Sequence, residues 1–141
     1  MQLTINVNGE LVRKGLQDLS AEVPKIGRQQ IRTVLNRVVR RQQAYPSERT
    51  GQTYHRTGNL FSHWRIEEVA NGYQIGNTAQ RKGRAYGKFV QGDAYGTGQA
   101  WMHKGRWQLF RDVTEEELLK LPDEILKEIM MVARREEFEV T

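Results

Sequence analysis

Apolar and polar residues alternate through Leu3-Thr4-Ile5-Asn6-Val7, the two-residue period of a half-buried strand. Asn8-Gly9 follows as a turn. Leu11, Val12, Gly15, Leu16 and Leu19 then recur at helical spacing and predict a first helix to about Ser20. Ser20 as N-cap and Pro24 in the first turn open a second helix. Its apolar stripe is Ile31, Val34, Leu35 and Val38, spaced i, i+3, i+4, i+7. Pro46 disfavours helical geometry at Tyr45, so this helix is expected to stop near Ala44.

Tyr45 to Arg56 has no periodicity and reads as a long, exposed polar loop. Leu60–Val69 and Gly72–Asn77 read as two strands of a hairpin turning at Asn71-Gly72. Arg81-Lys82-Gly83-Arg84 is a basic loop, and Ala85–Val90 fits one helical turn or a short strand. Gly92, Gly96 and Gly98 make a flexible loop. Thr114-Glu115-Glu116-Glu117 has the form of a capping box with Thr114 as N-cap. Pro122 restarts or kinks the helix, and Leu118, Leu121, Ile125, Ile129 and Val132 continue one apolar face. The expected fold is α+β, one domain over residues 1–141. A small antiparallel sheet carries a long basic helix and a C-terminal amphipathic helix packed on it.

Charge is distributed unevenly. Residues 23–47 hold six bases and no acid, residues 49–111 hold ten bases and three acids, and residues 114–141 hold nine acids and four bases. Basic stretches attract phosphates, and a chain basic along most of its length with an acidic end can also attract copies of itself head to tail; net charge alone does not separate the two readings. If the two surfaces meet between subunits, reversing Arg37, Arg40 and Arg41 to glutamate should weaken assembly with the fold intact. Cysteine is absent, which removes disulfides and thiolate metal sites. With neither a basic-then-apolar leader nor an apolar run of about 20 residues, the chain is expected to be made and kept in a cytoplasm, without a membrane partner.

Candidate chemistry is sparse. His55, His63 and His103 have no metal-ligand spacing. Glu67-Glu68 on a strand would point to opposite faces, which does not make an acid–base pair. Neither a metal nor another cofactor is expected, and no catalytic residue. The sharper pattern is aromatic and basic: Tyr86, Phe89, Tyr95, Trp101 and Trp107 interleaved with Arg84, Lys88, Lys104 and Arg106. Such a segment either stacks on single-stranded nucleic acid, supplies interface hot spots, or folds back as core of its own subunit.

Arg56-Thr57-Gly58-Asn59-Leu60 closes the polar loop and opens the hairpin, Ile75-Gly76-Asn77 closes the hairpin, and Ala85-Tyr86-Gly87-Lys88-Phe89-Val90-Gln91-Gly92 precedes the last helices. From Leu3 to about Glu137, this order resembles the neck and tail-completion (head–tail joining) proteins of long-tailed bacteriophages and prophages. Those share a loop ending in Thr-Gly-x-Leu and a Tyr-Ala-x-Tyr-Val-x-x-Gly-like segment. Here Gly87 replaces the usual small residue, and Trp107-Gln108-Leu109-Phe110 stands near the place of an Arg-Pro-Phe-Leu stretch. The resemblance implies a structural virion protein and no enzyme. It would be a ring-forming connector or tail terminator, hexameric, assembled in the host bacterial cytoplasm. Its partners would be itself, other neck or tail proteins, and DNA passing through the ring. Candidate interface residues are Arg37, Arg40, Arg41, Arg56, Tyr86, Phe89, Trp101 and Trp107. The alternative is a DNA-binding accessory protein using the basic helix and residues 84–107.

Overall fold

The computed structural model describes residues 9–51, 56–70 and 72–135. The expected Leu3–Val7 strand lies outside them. The chain is α+β, with long and short helices beside two small antiparallel hairpins. It divides into two compact units. One comprises Arg32–Leu119; the other combines the chain up to Ile31 with the chain from Lys120.

Helix α1 runs unbroken through Gly9–Gln43, with Pro24 inside it, where the sequence suggested two helices. An interior proline removes one backbone bond and crowds the carbonyl four residues back. Ser20 and Pro24 are both exposed, so this stretch of the helix is open to water, which can satisfy a freed carbonyl. In the unit ending at Ile31 and resuming at Lys120, α5 (Leu121–Arg135) has Pro122 in its first turn, as expected from the sequence. Ile26 and Val132 are buried there.

The other unit is built on the last third of α1, from Arg32 on. Val34, Leu35 and Val38 are buried, and one turn further Gln42 extends the same face. A four-residue helical turn, α2 (Asn59–Ser62), replaces the expected start of a strand at Leu60. Gly58 precedes it at φ 78°, a left-handed conformation that glycine adopts without strain. The turn directs Leu60 into the core. Strands β1 (Trp64–Val69) and β2 (Gly72–Asn77) form the hairpin, with Ile66 opposite Ile75 and Val69 opposite Gly72. The basic loop forms a second, minimal hairpin: β3 (Gln80–Arg81) and β4 (Arg84–Ala85) turn at Lys82-Gly83, both at positive φ. Helix α3 (Gly87–Gln91) follows.

Helix α4 spans Phe110–Leu118, so Thr114 is not an N-cap. Its hydroxyl instead donates back to the Phe110 carbonyl at 2.7 Å. The earlier start places Phe110, Val113 and Glu117 on one inward face. Phe110 packs on Trp64 with ring centroids 5.6 Å apart, and Val113 and Glu117 are buried. Packing of that face outweighs the local capping signal.

The three segments that carry the resemblance converge. Asn59 Nδ2 donates to the Gln80 carbonyl at 2.9 Å, and Asn77 Nδ2 donates to the Leu60 carbonyl at 2.7 Å. A methyl group on Gly87 would sit 3.5 Å from both Asn77 Cβ and Leu60 Cδ1, ordinary contact. Gly87→Ala should therefore stabilise the fold by about 0.4–1 kcal/mol through loss of unfolded-state entropy. Gly96→Ala should do the opposite. Gly96 has φ 76°, and its added methyl would lie 2.6–2.9 Å from the Arg111 guanidinium. A loss of about 1–2 kcal/mol is expected for the left-handed conformation. Urea melts of both variants check the pair, and equal midpoints would contradict this account.

Candidate binding cavity and exposed aromatic loop

Two features of the Arg32–Leu119 unit stand out. The first is a cavity of about 530 Å3 between the loop after α1, α2, α3 and the Trp101–His103 turn. Such a volume lies in the range that holds a small ligand or an anchoring side chain. Arg56, Arg81 and Arg106 line it, with Tyr45, Tyr86, Phe89, Met102 and Trp107, and no acidic residue is among its described lining residues.

One wall is a stack. Tyr45 lies on Trp107 with centroids 4.6 Å apart, and the Arg56 guanidinium sits 4.9 Å from the Trp107 ring centre and 5.9 Å from that of Tyr45. Residues of the polar loop are tied down around it. Arg106 donates to the Ser47 carbonyl at 2.8 Å, Arg49 to the Met102 carbonyl at 3.2 Å, and the Arg56 amide to Glu48 at 3.1 Å. Residues 52–55 of that loop, His55 included, lie outside the described residues.

The cavity is electropositive. Burial lowers the pKa of His103, and the charges of Arg106, Arg49 and Arg56 lower it further, in that order. The imidazole therefore stays neutral at pH 7, and its Nδ1 is buried without a hydrogen-bond partner. Burial also pushes the Tyr45 phenol up to about 12. The neighbouring Trp64 indole opposes that shift, but the geometry falls short of a hydrogen bond, and the Tyr45 hydroxyl and Trp64 Nε1 are both left unpaired. The arginines and aromatic rings of the lining suit a ligand that is anionic and partly apolar.

The second feature is the loop over residues 92–107. Its glycines suggested flexibility, yet hydrogen bonds organise it. The Asp93 carboxylate accepts from the Tyr95 amide, the Thr97 amide and the Thr97 hydroxyl at 2.9, 2.9 and 2.6 Å. The Thr97 hydroxyl leads in holding the Asp93 carboxyl below its ordinary range. Gln99 Nε2 donates to the Val90 and Trp107 carbonyls at 2.9 and 3.2 Å, and the Ala100 amide to Phe89 at 2.7 Å. On this fixed frame Tyr95 is 82% and Trp101 79% exposed, beside half-exposed Phe89 and Met102.

The candidate interface residues separate into groups. Arg56, Tyr86, Phe89 and Trp107 share the cavity wall. Trp101 projects from the loop, and Arg40 is exposed on α1. Arg37 and Arg41 instead meet the acidic helix of their own chain. Arg37 Nε lies 2.8 Å and Arg41 Nη1 3.0 Å from the buried Glu117 carboxylate, and Arg41 Nη2 lies 2.6 Å from Glu116. The hydrogen bond to Glu116 is the leading cause of a raised Arg41 pKa, with burial opposing it. Reversing Arg37, Arg40 and Arg41 together would thus set two carboxylates, at positions 37 and 41, against a buried one. The expectation of an intact fold is corrected to Arg40 alone.

Tyr45, Arg81, Met102, Arg106 and His103 join the cavity without having been singled out as an interface from sequence. The aromatic–basic interleaving was the available signal for Arg106. Among the described residues there is no group of three or more metal-ligating side chains, and no helix is long and apolar enough to cross a membrane. Compared with family models, curated proteins and solved structures, the chain matches none.

Proposed function

We propose that this protein is a structural virion subunit of a tailed bacteriophage. It assembles into a ring at the head–tail junction or the end of the tail and performs no catalysis. The observation that carries the reading is Trp101, 79% exposed on a loop held by Asp93 and Gln99. A large aromatic fixed in water on a rigid frame is costly for a free monomer and suits a hot spot of an assembly. The convergence of the Thr57-Gly58-Asn59-Leu60, Ile75-Gly76-Asn77 and Tyr86–Gly92 segments supports the resemblance from which the ring is inferred.

Sedimentation velocity and negative-stain imaging test it. The chain should form closed rings as concentration rises, and Trp101→Ala should weaken association by about tenfold or more. A chain that stays monomeric at every concentration sinks the reading. Binding of single-stranded DNA is the second reading, favoured by arginines beside aromatic faces in one cavity. It requires retention of a thymidine oligonucleotide that falls steeply with salt.

A further inference from the structure

The cavity between α2, α3 and the Trp101–His103 turn has chemistry that a neighbouring copy of the chain can match. Its described lining residues include three arginines and no acid, and its seat is aromatic. Beyond the described residues the sequence runs Glu136-Glu137-Phe138-Glu139-Val140, three carboxylates around one aromatic ring. We propose that this acidic–aromatic segment of one copy docks in the cavity of a second copy, with Phe138 seated on the Tyr86–Trp107 side and its flanking glutamates against Arg56 and Arg106.

Two observations favour this occupant. Charge complementarity is the first: arginine forks pair with carboxylates in bidentate geometry, and a stack of Arg56 over Trp107 holds one such fork in place. The second is size. About 530 Å3 takes a benzyl group with adjoining backbone, whereas tracking a nucleic-acid strand needs an extended groove. A cavity on one copy that receives a segment from the next is a heterologous contact, the kind that propagates around a ring. To that extent the inference rests on the ring reading.

The receptor for the test is the full-length chain carrying Glu136→Lys, Glu137→Lys, Phe138→Ala and Glu139→Lys, whose own segment cannot dock. A fluorescein-labelled peptide of native residues 134–141 should bind it. Binding should weaken as salt screens charges over ~8–10 Å. Peptides with Phe138→Ala or with the three glutamates changed to lysine should bind about tenfold or more weakly. These two need no change in the cavity and hence no assumption about folding. Adding Phe89→Ala and Arg106→Gln to the receptor, with an unchanged melting temperature, should reduce uptake similarly.

Mixing the segment-disabled chain with a cavity-disabled chain that keeps the native segment should restore association that neither shows alone. Absent peptide binding, or binding indifferent to Phe138, overturns the proposal. So does a thymidine oligonucleotide that binds the cavity while the peptide does not. Peptide uptake by a full-length chain that never self-associates would assign the cavity to the chain's own segment and overturn the second copy. Rings that persist in the segment-disabled chain would overturn the docking while leaving the ring reading intact.

Discussion

Replacing Glu117 by alanine should lower stability by about 2–4 kcal/mol and the melting temperature by roughly 6–15 °C, among the largest effects of any single polar substitution in the chain. Glu117 is 2% exposed and accepts from Arg37 and Arg41 at 2.8 and 3.0 Å. Removing it takes from Arg37 and Arg41 the buried carboxylate they share, while Arg41 keeps Glu116 at 2.6 Å. The two arginine side chains are 29% and 32% exposed, so water relieves part of the cost, and the loss stays below that of a fully buried charge. Glu116→Ala removes the other carboxylate held by Arg41, but that side chain is 60% exposed, and the change should cost well under 1 kcal/mol. Arg40→Glu, at an exposed position, should stay within about 0.5 kcal/mol. Combining Glu117→Leu with Arg37→Met should recover part of the loss, because an apolar pair of similar volume avoids the stranded charge. Thermal and urea melts of these variants check the order. A Glu117→Ala midpoint equal to that of the parent would remove the pair from the account of this fold.

That pair also marks where sequence reading runs out. The apolar stripe Val34, Leu35, Val38 was legible because helical periodicity reports burial directly, and the Trp64–Val69 and Gly72–Asn77 strands were legible from alternation and a turn. Glu117 was read as a capping residue, since Thr-Glu-Glu-Glu is a strong local pattern. What overrode it was nonlocal: Phe110 on Trp64 and Arg37 across 80 residues of sequence. Gln91 was hidden for the same reason. Buried at 3%, its amide donates to the Gln42 carbonyl at 2.7 Å and ties α3 to the end of α1, and no periodicity announces a glutamine in that role. Pro24 misled in the other direction, because the propensity against an interior proline says nothing of whether the freed carbonyl faces water. Of the cavity, composition indicated arginines and aromatics but not their meeting. Tyr45 and Trp107 are 62 positions apart, and only the folded loop lays one ring on the other.

The two tryptophans of the glycine-rich segment should therefore behave oppositely. Trp107 packs on Tyr45 at 4.6 Å and edge-on against His103 at 5.9 Å, carries the Arg56 guanidinium at 4.9 Å, and has its carbonyl held by Gln99. Deleting a fully buried indole costs about 3–5 kcal/mol. Trp107 is half-buried, which scales the expectation for Trp107→Ala to about 2–3 kcal/mol, plus disorder of the wall that positions Arg56. Trp107→Phe keeps a ring against Tyr45 and should recover about half. Trp101→Ala removes a side chain that is 79% exposed, so the isolated chain should keep its melting temperature within the ±0.5 kcal/mol typical of surface changes. Its loss should appear in assembly. Differential scanning calorimetry beside sedimentation velocity on the same two variants separates the roles. A monomer destabilised by Trp101→Ala, or indifferent to Trp107→Ala, would reverse the assignment of wall and contact.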